Sequence, residues 1–323
     1  MGRGRTIPHV ITLGELHEAR ERVAPVLRPT PVEVSESLSG LVRRDVLLKP
    51  EHRQRTGSFK IRGAYNFVSR LPAGGEVVAA SAGNHAQGVA LAAQLSGMRA
   101  TVFMPTNASK PKVDATRGYG ATVRLVGEFY DEAMDAAREY ASEHGLVVVP
   151  PFDDPLIIAG QGTIGLELVD EAPEAGTVVV PVGGGGLISG VAAGLRLSDH
   201  PALIVGVQAE GAAAMQASLA AGRVVTLDTV STMADGIAPH AVSPLTLEHV
   251  QNYVDTIVTV TEDELAKAML LLLERAKAVV EPAGAAAVAA LVAGKVPEGG
   301  GAAVAVVSGG NVDLHLLSRL IGA

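Results

Sequence analysis

The sequence predicts an α/β protein with two open, mostly parallel sheets that helices cover. Three observations support this fold class. Short apolar runs rich in β-branched residues alternate with helical stretches, which is typical of βαβ units. Of the 323 residues, 48% are hydrophobic but only 3% are aromatic, so the core is built from aliphatic side chains, as buried parallel strands require. The alternation also occurs in two series with no linker between them, which indicates two domains that share a cleft.

The first series occupies the chain before Pro150 and Pro151, which end it. Its apolar runs predict strands at Glu76–Ala80, Ala100–Met104, Ala121–Val126 and Leu146–Val149. The stretches between them predict helices at Asn84–Leu95, Ser109–Arg117 and Tyr130–His144. We predict a small domain over residues 53–155, which carries the Ser81–His85 loop.

The second series predicts the larger domain, built from residues 1–52 and 156–323. Strands are expected at Thr177–Val182, Leu203–Val207, Ile257–Val260 and Ala302–Val307, and helices at Leu187–Arg196 and Glu264–Lys277. Thr261–Asp263 is expected to cap the latter helix. The chain is expected to pass back to this domain at Pro150–Asp154.

Charge and composition exclude several classes of function. The net charge is −8, and the chain has no basic stretch with interleaved aromatic residues, so we expect a small metabolite rather than nucleic acid as the partner. Without cysteine there is no disulfide, thiolate nucleophile or Cys-ligated metal, which fits the cytoplasm. We expect no signal peptide in Met1–Val10 and no membrane span, because the apolar runs are too short. No HExxH-type motif predicts a metal site.

Four consecutive glycines, Gly183–Gly186, stand between a predicted strand and a predicted helix. Glycine allows successive N–H groups to turn inward as an anion cradle, and the helix N-terminus behind it adds partial positive charge. The run therefore predicts a phosphate site. A loose turn and a dinucleotide fingerprint are the alternatives. Ser189 stands where the fingerprint expects a third Gly or Ala, which weakens the latter, although Glu210 is suitably spaced for a ribose contact.

Lys60 follows a Gly-Ser turn, lies between Phe59 and Ile61, and begins a predicted helix. Most lysines are solvated surface groups, and that is the alternative interpretation here. A lysine held among apolar neighbours has a lowered pKa and can form a Schiff base with an aldehyde cofactor. Its setting therefore makes Lys60 a candidate catalytic residue.

Two polar turns follow predicted strands, where ligands bind in open α/β sheets. In Ser81-Ala82-Gly83-Asn84-His85, the hydroxyl, amide and free N–H groups suit a carboxylate, although a plain helix cap by Ser81 or Asn84 explains the same residues. Ser308-Gly309-Gly310-Asn311 follows the last strand, and it also has the composition of an ordinary strand-to-helix turn.

Together these segments resemble the threonine dehydratase and serine racemase group of fold type II pyridoxal-phosphate enzymes. The matching motifs occur in the family's order at Lys49–Glu51, Gln54–Ala64, Ser81–Gln87, Ala159–Thr163, Gly183–Leu187, Ala234–Gly236, Glu281–Pro282 and Ser308–Asp313. The resemblance implies two α/β domains with pyridoxal 5'-phosphate in the cleft between them. It also implies a homodimer or homotetramer.

The resemblance implies a role for each site residue. Lys60 is the catalytic Schiff-base lysine, Phe59 lies beside the cofactor ring, and Asn84 contacts its phenolic oxygen. Gly183, Gly184, Gly185, Gly186 and Leu187 bind the phosphate, and Ser308 faces the pyridine nitrogen. Ser81, Asn84, His85 and Gly236 bind the substrate. The implied activity is the conversion of L-threonine to 2-oxobutanoate and ammonia, and of L-serine to pyruvate.

Three alternatives stay open: a serine racemase, a dehydratase of another β-hydroxy amino acid such as hydroxyaspartate, and a nucleotide-binding oxidoreductase. Three departures from the family pattern bear on the choice between them. Ala82 stands where racemases of this family carry a second acid/base serine. Glu210 is present, but Gly211–Gln216 has no acidic residue to complete the racemase metal site. The chain ends soon after the last motif, so we expect the short form, without a C-terminal regulatory domain. Arg55 and Thr56 lie where short relatives bind a nucleotide effector.

Overall fold

A computed structural model describes residues 10–322. Its strands are β1 (Glu33–Val34), β2 (Val46–Lys49), β3 (Glu76–Ala80), β4 (Arg99–Met104), β5 (Thr122–Leu125), β6 (Val147–Val148), β7 (Ala175–Pro181), β8 (Leu203–Ala209), β9 (Thr256–Val260) and β10 (Ala302–Val306). Its α-helices are α1 (Leu13–Val23), α2 (Glu36–Val42), α3 (Lys60–Val68), α4 (Asn84–Leu95), α5 (Lys110–Gly118), α6 (Tyr130–His144), α7 (Pro155–Glu171), α8 (Gly186–Leu197), α9 (Ala214–Ala221), α10 (Pro244–Tyr253), α11 (Glu262–Arg275), α12 (Pro282–Val292) and α13 (Leu314–Ile321).

The strands and helices predicted from the sequence are confirmed, with bounds that differ by two residues at most. Thr261 caps α11 as expected, because its side chain accepts a hydrogen bond from the Glu264 N–H. No element was predicted at β1, β2, α1, α2, α9, α10 or α13, nor at the two helices α7 and α12. Both helices are apolar on nearly every face because they are buried, so their sequences lack the amphipathic period that reveals a surface helix. The N-terminal prediction concerns Met1–Val10, of which residues 1–9 lie outside the described part of the chain.

The strands form two separate sheets. The larger has the order β1-β2-β10-β7-β8-β9, parallel throughout except that β1 pairs antiparallel with β2. The smaller has the order β5-β4-β3-β6 and is entirely parallel. Its strands all lie between residues 76 and 148. On this separation we propose the domain bounds that the sequence predicted, 53–155 for the small domain and the remainder for the large one.

Parallel strands bring the candidate segments to common edges. β7 and β10 are neighbours, so the glycine run that follows β7 and the Ser308 turn that follows β10 leave the same edge of the larger sheet. The Ser81–His85 loop leaves the corresponding edge of the smaller sheet, after β3.

Helices α7 and α8 pack closely enough to fix the position of the glycine run. A Cβ on Gly162 of α7 would lie 2.9 Å from the Gly190 carbonyl oxygen, and a Cβ on Gly190 of α8 would lie 2.3 Å from the Ile158 carbonyl oxygen. Glycine at both positions permits this approach of two helix backbones.

Among residues 10–322, no helix is both long and apolar enough to cross a membrane.

Candidate functional site

Lys60 is the first residue of α3, as the sequence predicted, and its side chain is half-buried. Nζ donates a hydrogen bond of 2.8 Å to the carbonyl oxygen of Pro151 and lies 5.3 Å from the centre of the Phe59 ring. Burial, which penalises the ammonium form, lowers the pKa of Lys60 to about 8, although the charge of Glu281 opposes the shift. A substantial share of the amine is therefore uncharged in mildly alkaline solution.

The glycine run forms a turn that ends at the N-terminus of α8. Gly185 precedes the helix with a φ of +97°, a conformation that favours glycine. The first N–H groups of a helix have no partner within it, and the helix dipole adds positive charge there, so this turn suits an anion. Thr246 holds the turn from behind by donating to the Gly184 carbonyl oxygen at 2.7 Å. The Leu187 side chain packs in the core, which leaves its main chain to contact a ligand.

Pro151 and Phe152 connect Lys60 to the glycine run. Pro151 accepts the hydrogen bond from Lys60, and the ring of the next residue, Phe152, packs on Gly184. A Cβ on Gly184 would lie 2.4 Å from this ring, and one on Gly186 would lie 2.8 Å from the Phe152 Cβ. The amine and the anion turn therefore lie against the same dipeptide, whose sequence indicates only a connection between domains.

The Ser81–His85 loop turns tightly into α4. Ser81 Oγ accepts a hydrogen bond of 3.1 Å from the Gly83 N–H. His85 is buried, and its Nε2 lies 3.0 Å from the carbonyl oxygen of Val149, which accepts a hydrogen bond from the ring. Burial and the charge of Lys60 lower the pKa of His85 to about 3, despite this hydrogen bond. The His85 ring is therefore neutral near physiological pH.

The turn after β10 is hydrogen-bonded to the segment that leads to Lys60. Ser58 and Gly309 form an antiparallel bridge, and the Phe59 N–H donates to the Ser308 carbonyl oxygen at 3.1 Å. Helix α4 closes the other side, where a Cβ on Gly88 would lie 3.1 Å from the Lys60 carbonyl carbon.

The predicted site residues therefore meet in one region. Phe59, Lys60, Asn84, Ser308 and the glycine run all line it, and Ser81 and His85 lie in the adjoining loop. Gly236 lies next to the same region, because a Cβ at this position would be 4.0 Å from Glu281 Oε1.

A buried network of charges holds α3 in place behind Lys60. Both oxygens of Glu51 accept from Arg62 at 2.8 Å, and Arg62 Nη1 lies 2.6 Å from Glu167 Oε1. Lys49 Nζ lies 2.8 Å from the other oxygen of Glu167 and 2.9 Å from Glu171. The two carboxylates raise the pKa of Arg62 above its ordinary value against the opposing effect of burial. The network joins the helix of Lys60 to α7 and to the turn after β2.

This set of groups fits a cofactor that carries an aldehyde, a ring and a phosphate. Lys60 offers an amine, the turn at α8 offers N–H groups to an anion, and Asn84 and Ser308 offer an amide and a hydroxyl.

In the described part of the chain, no cluster of three or more His, Asp or Glu side chains could hold a metal ion. Glu210 begins a short 3₁₀ turn, Glu210–Ala212, directly after β8.

Three residues near the site were not assigned a role from the sequence. Phe152 packs on the glycine run, and Glu281 and Asn311 both bond to the Asn84 side chain. Only Glu281 had a local signal that could have identified it. Glu281 stands directly before the apolar helix α12, and because that helix is buried, the glutamate is buried with it and requires a polar partner.

Comparison with known proteins agrees with this geometry. Residues 23–309 match the family model described as pyridoxal-phosphate dependent enzyme. The chain is 47% identical to an L-threonine ammonia-lyase of Thermotoga maritima over 315 residues, which cover 97% of this chain and 78% of that protein.

Solved structures show the same similarity. A T.th. threonine deaminase is 41% identical, with a TM-score of 0.89 over 94% of this chain and 99% of that one. Maize serine racemase is 35% identical, with a TM-score of 0.92 over 97% of this chain and 98% of that one.

Proposed function

The chain belongs to the family of pyridoxal-phosphate-dependent enzymes, and on that premise we propose that it is an ammonia-lyase that converts L-threonine to 2-oxobutanoate and ammonia, and L-serine to pyruvate and ammonia. The observation that carries the proposal is the position of Lys60, whose amine of lowered pKa lies one dipeptide away from the anion turn of α8. The similarity to named threonine ammonia-lyases supports the choice of substrate.

We assign the cofactor's contacts to the residues of this region. The N–H groups of Gly183–Leu187 would hold the phosphate, Phe59 would flank the ring, Ser308 would face the ring nitrogen, and Asn84 would face the phenolic oxygen. When bound, pyridoxal phosphate supplies an aldehyde for a lysine amine and accepts the electron pair released at the substrate Cα.

Lys60 acts as the base that moves the substrate's Cα proton. A base of pKa about 8 is matched to proton transfer near physiological pH, because a useful share of it is neutral there and its conjugate acid still donates readily. Pro151 holds Nζ in place through its carbonyl oxygen.

The substrate carboxylate is held by the loop before α4. Its main-chain N–H groups at Asn84 and His85 lie at a helix N-terminus, where an anion is favoured. Because the His85 ring is neutral and donates to Val149, we assign carboxylate binding to the main chain rather than to an imidazolium.

Racemisation is the second candidate activity, since the maize serine racemase shares this fold. It needs a proton donor on each face of the substrate Cα. Lys60 serves one face, and Ala82 offers only a methyl group in the loop that would serve the other. This difference favours elimination.

The family assignment removes the dinucleotide-dependent oxidoreductase from consideration.

A substrate screen with a lysine variant tests the proposal. Purified protein is expected to absorb visible light as a bound-cofactor species, to lose that absorbance on borohydride treatment, and to release a 2-oxo acid from L-threonine and L-serine. Lys60→Ala is expected to abolish release, whereas Lys110→Ala, which alters an exposed lysine, leaves it unchanged. Release by Lys60→Ala at more than a trace would show that another group is the base. Hydroxyaspartate belongs in the same screen.

We also propose that the enzyme acts in the cytoplasm as a homodimer or homotetramer. Apolar surface supports association, because Leu314 and Ile321 of α13 are 74% and 59% exposed. Light scattering after size-exclusion chromatography measures the mass, and a monomer at micromolar concentration would contradict this part of the proposal.

A further inference from the structure

The side-chain amide of Asn84 is held in one orientation by neighbours on both sides. Asn311 Nδ2 donates to the Thr56 carbonyl oxygen and to Asn84 Oδ1, each at 2.7 Å. Only an NH₂ group can face the Thr56 carbonyl, so the oxygen of Asn84 must face Asn311. The NH₂ group of Asn84 therefore faces Glu281, whose Oε1 accepts from it at 2.6 Å.

Glu281 is well placed to hold that amide because its carboxyl is enclosed. The residue is 4% exposed, and its main-chain N–H donates to the Gly309 carbonyl oxygen at 3.2 Å. Its Oε1 rests on Gly309, where any Cβ would lie 2.1 Å away. The carboxyl thus lies between the residue that we assign to the phenolic oxygen, Asn84, and the turn that carries Ser308.

Charged groups from three neighbouring elements act on this carboxyl. Burial and Asp235 raise the pKa of Glu281 to about 7, while the hydrogen bond from Asn84 and the charges of Lys112 and Lys60 oppose the shift. Asp235 and Lys112 are themselves paired at 2.6 Å. Near neutral pH, the carboxyl is therefore close to equally divided between its protonated and ionised forms.

We infer that Glu281 is a positioning residue for the elimination reaction: together with Asn311 it fixes the orientation of the Asn84 amide before the cofactor binds. One Asn84 N–H is bonded to Glu281, and the second is the hydrogen that Asn84 can donate to the phenolic oxygen. An amide that is already oriented loses less conformational freedom on binding. The inference rests on the proposed function, because the phenolic oxygen belongs to the cofactor assigned there.

Two substitutions separate orientation from charge. Glu281→Leu removes the acceptor, whereas Glu281→Gln can keep an acceptor oxygen toward Asn84 but has no charge. Asp263→Asn, which neutralises an exposed carboxylate, is the matched control. The measurements are the dissociation constant of pyridoxal phosphate from each apoenzyme and the visible absorbance of each holoenzyme as a function of pH.

Glu281→Leu is expected to raise the cofactor dissociation constant about tenfold or more, since it leaves a buried N–H unsatisfied. Glu281→Gln is expected to stay within about threefold of the wild type. Any pH transition in the wild-type absorbance that the ionisation of Glu281 causes is expected to be absent from Glu281→Gln. A wild-type dissociation constant in Glu281→Leu, or one for Glu281→Gln that is raised as far as that of Glu281→Leu, would overturn the inference.

Thermal unfolding of the apoenzymes provides a test that needs no cofactor. The folded Glu281 carboxyl keeps its proton to a higher pH than the unfolded one, so its contribution to wild-type stability falls as the pH rises from about 4.5 to about 7. The Tm of Glu281→Gln relative to wild type is therefore expected to increase over this range, and a constant difference would contradict the burial argument. A wild-type protein that neither binds pyridoxal phosphate nor releases a 2-oxo acid would instead refute the proposed function itself.

Discussion

Gly184→Ala is expected to weaken cofactor binding because the added methyl group has no room. The Cβ would lie 2.4 Å from two carbon atoms of the Phe152 ring and 2.6 Å from a third, well inside van der Waals contact. Relieving such an overlap by shifting a side chain or the backbone costs about 1–3 kcal/mol. If the glycine turn absorbs the shift, the cofactor dissociation constant rises by about 5- to 150-fold.

A double-mutant cycle with Phe152→Ala tests the steric origin of this loss. Removing the ring makes room for the methyl group, so Gly184→Ala is expected to have a much smaller effect in the Phe152→Ala background. Cofactor dissociation constants of the four proteins are measured by titration of the apoenzymes. Gly40→Ala is the matched control, because a Cβ there meets nothing within 4 Å.

Two results would refute this reasoning. One is a Gly184→Ala protein that binds the cofactor as tightly as wild type while its apoenzyme is equally stable. The other is strict additivity of the two substitutions, which would mean that the ring does not press on the glycine turn.

The remaining predictions concern elimination, metal dependence and stability. Wild-type enzyme is expected to form pyruvate from L-serine with little D-serine, and Ala82→Ser is expected to raise the ratio of racemisation to elimination. Chiral chromatography measures both products, and abundant D-serine from the wild type would reveal another proton donor. Chelation is expected to leave activity unchanged, and a loss restored by magnesium would reveal a metal site that includes ligands other than Glu210. Glu51→Gln is expected to lower the free energy of unfolding, measured in urea, by about 3–5 kcal/mol, because it removes a carboxylate charge that pairs with the buried Arg62 guanidinium. A loss below about 1 kcal/mol would show that the Glu167 carboxylate alone is enough to pair with Arg62.

Interactions that act over a few residues were readable in the sequence. The strands β3 and β7 follow from short β-rich runs, and α6 follows from its amphipathic period. The glycine run predicted an anion turn because glycine conformation and the helix N-terminus are local properties, and Gly185 has the expected positive φ. The identity of the cofactor and the activity came from the resemblance of several such motifs, in the same order along the chain, to a known family of enzymes.

Burial hid some of the elements and pKa shifts that the sequence did not reveal. Helix α12 lacks a polar face, and without one a helical period cannot be distinguished from other apolar runs. The low pKa of His85 results from its enclosure and from the nearby charge of Lys60, and no spacing in the sequence predicts either. The loop composition suggested hydroxyl, amide and N–H groups for the substrate carboxylate, and we propose its main-chain N–H groups for that role because the His85 ring is neutral.

The sequence alone predicted most of the strands, several of the helices and an anion-binding turn at the glycine run, because backbone preference and hydrophobic period act between near neighbours. Only the tertiary structure decided which side chains share a site. Asn84 bonds to Glu281 and Asn311, which are 197 and 227 residues away along the chain, and Phe152 reaches the glycine turn from the connection between the two sheets. Such contacts depend on how the sheets and helices pack against one another, and that packing places groups together without leaving any pattern within either segment.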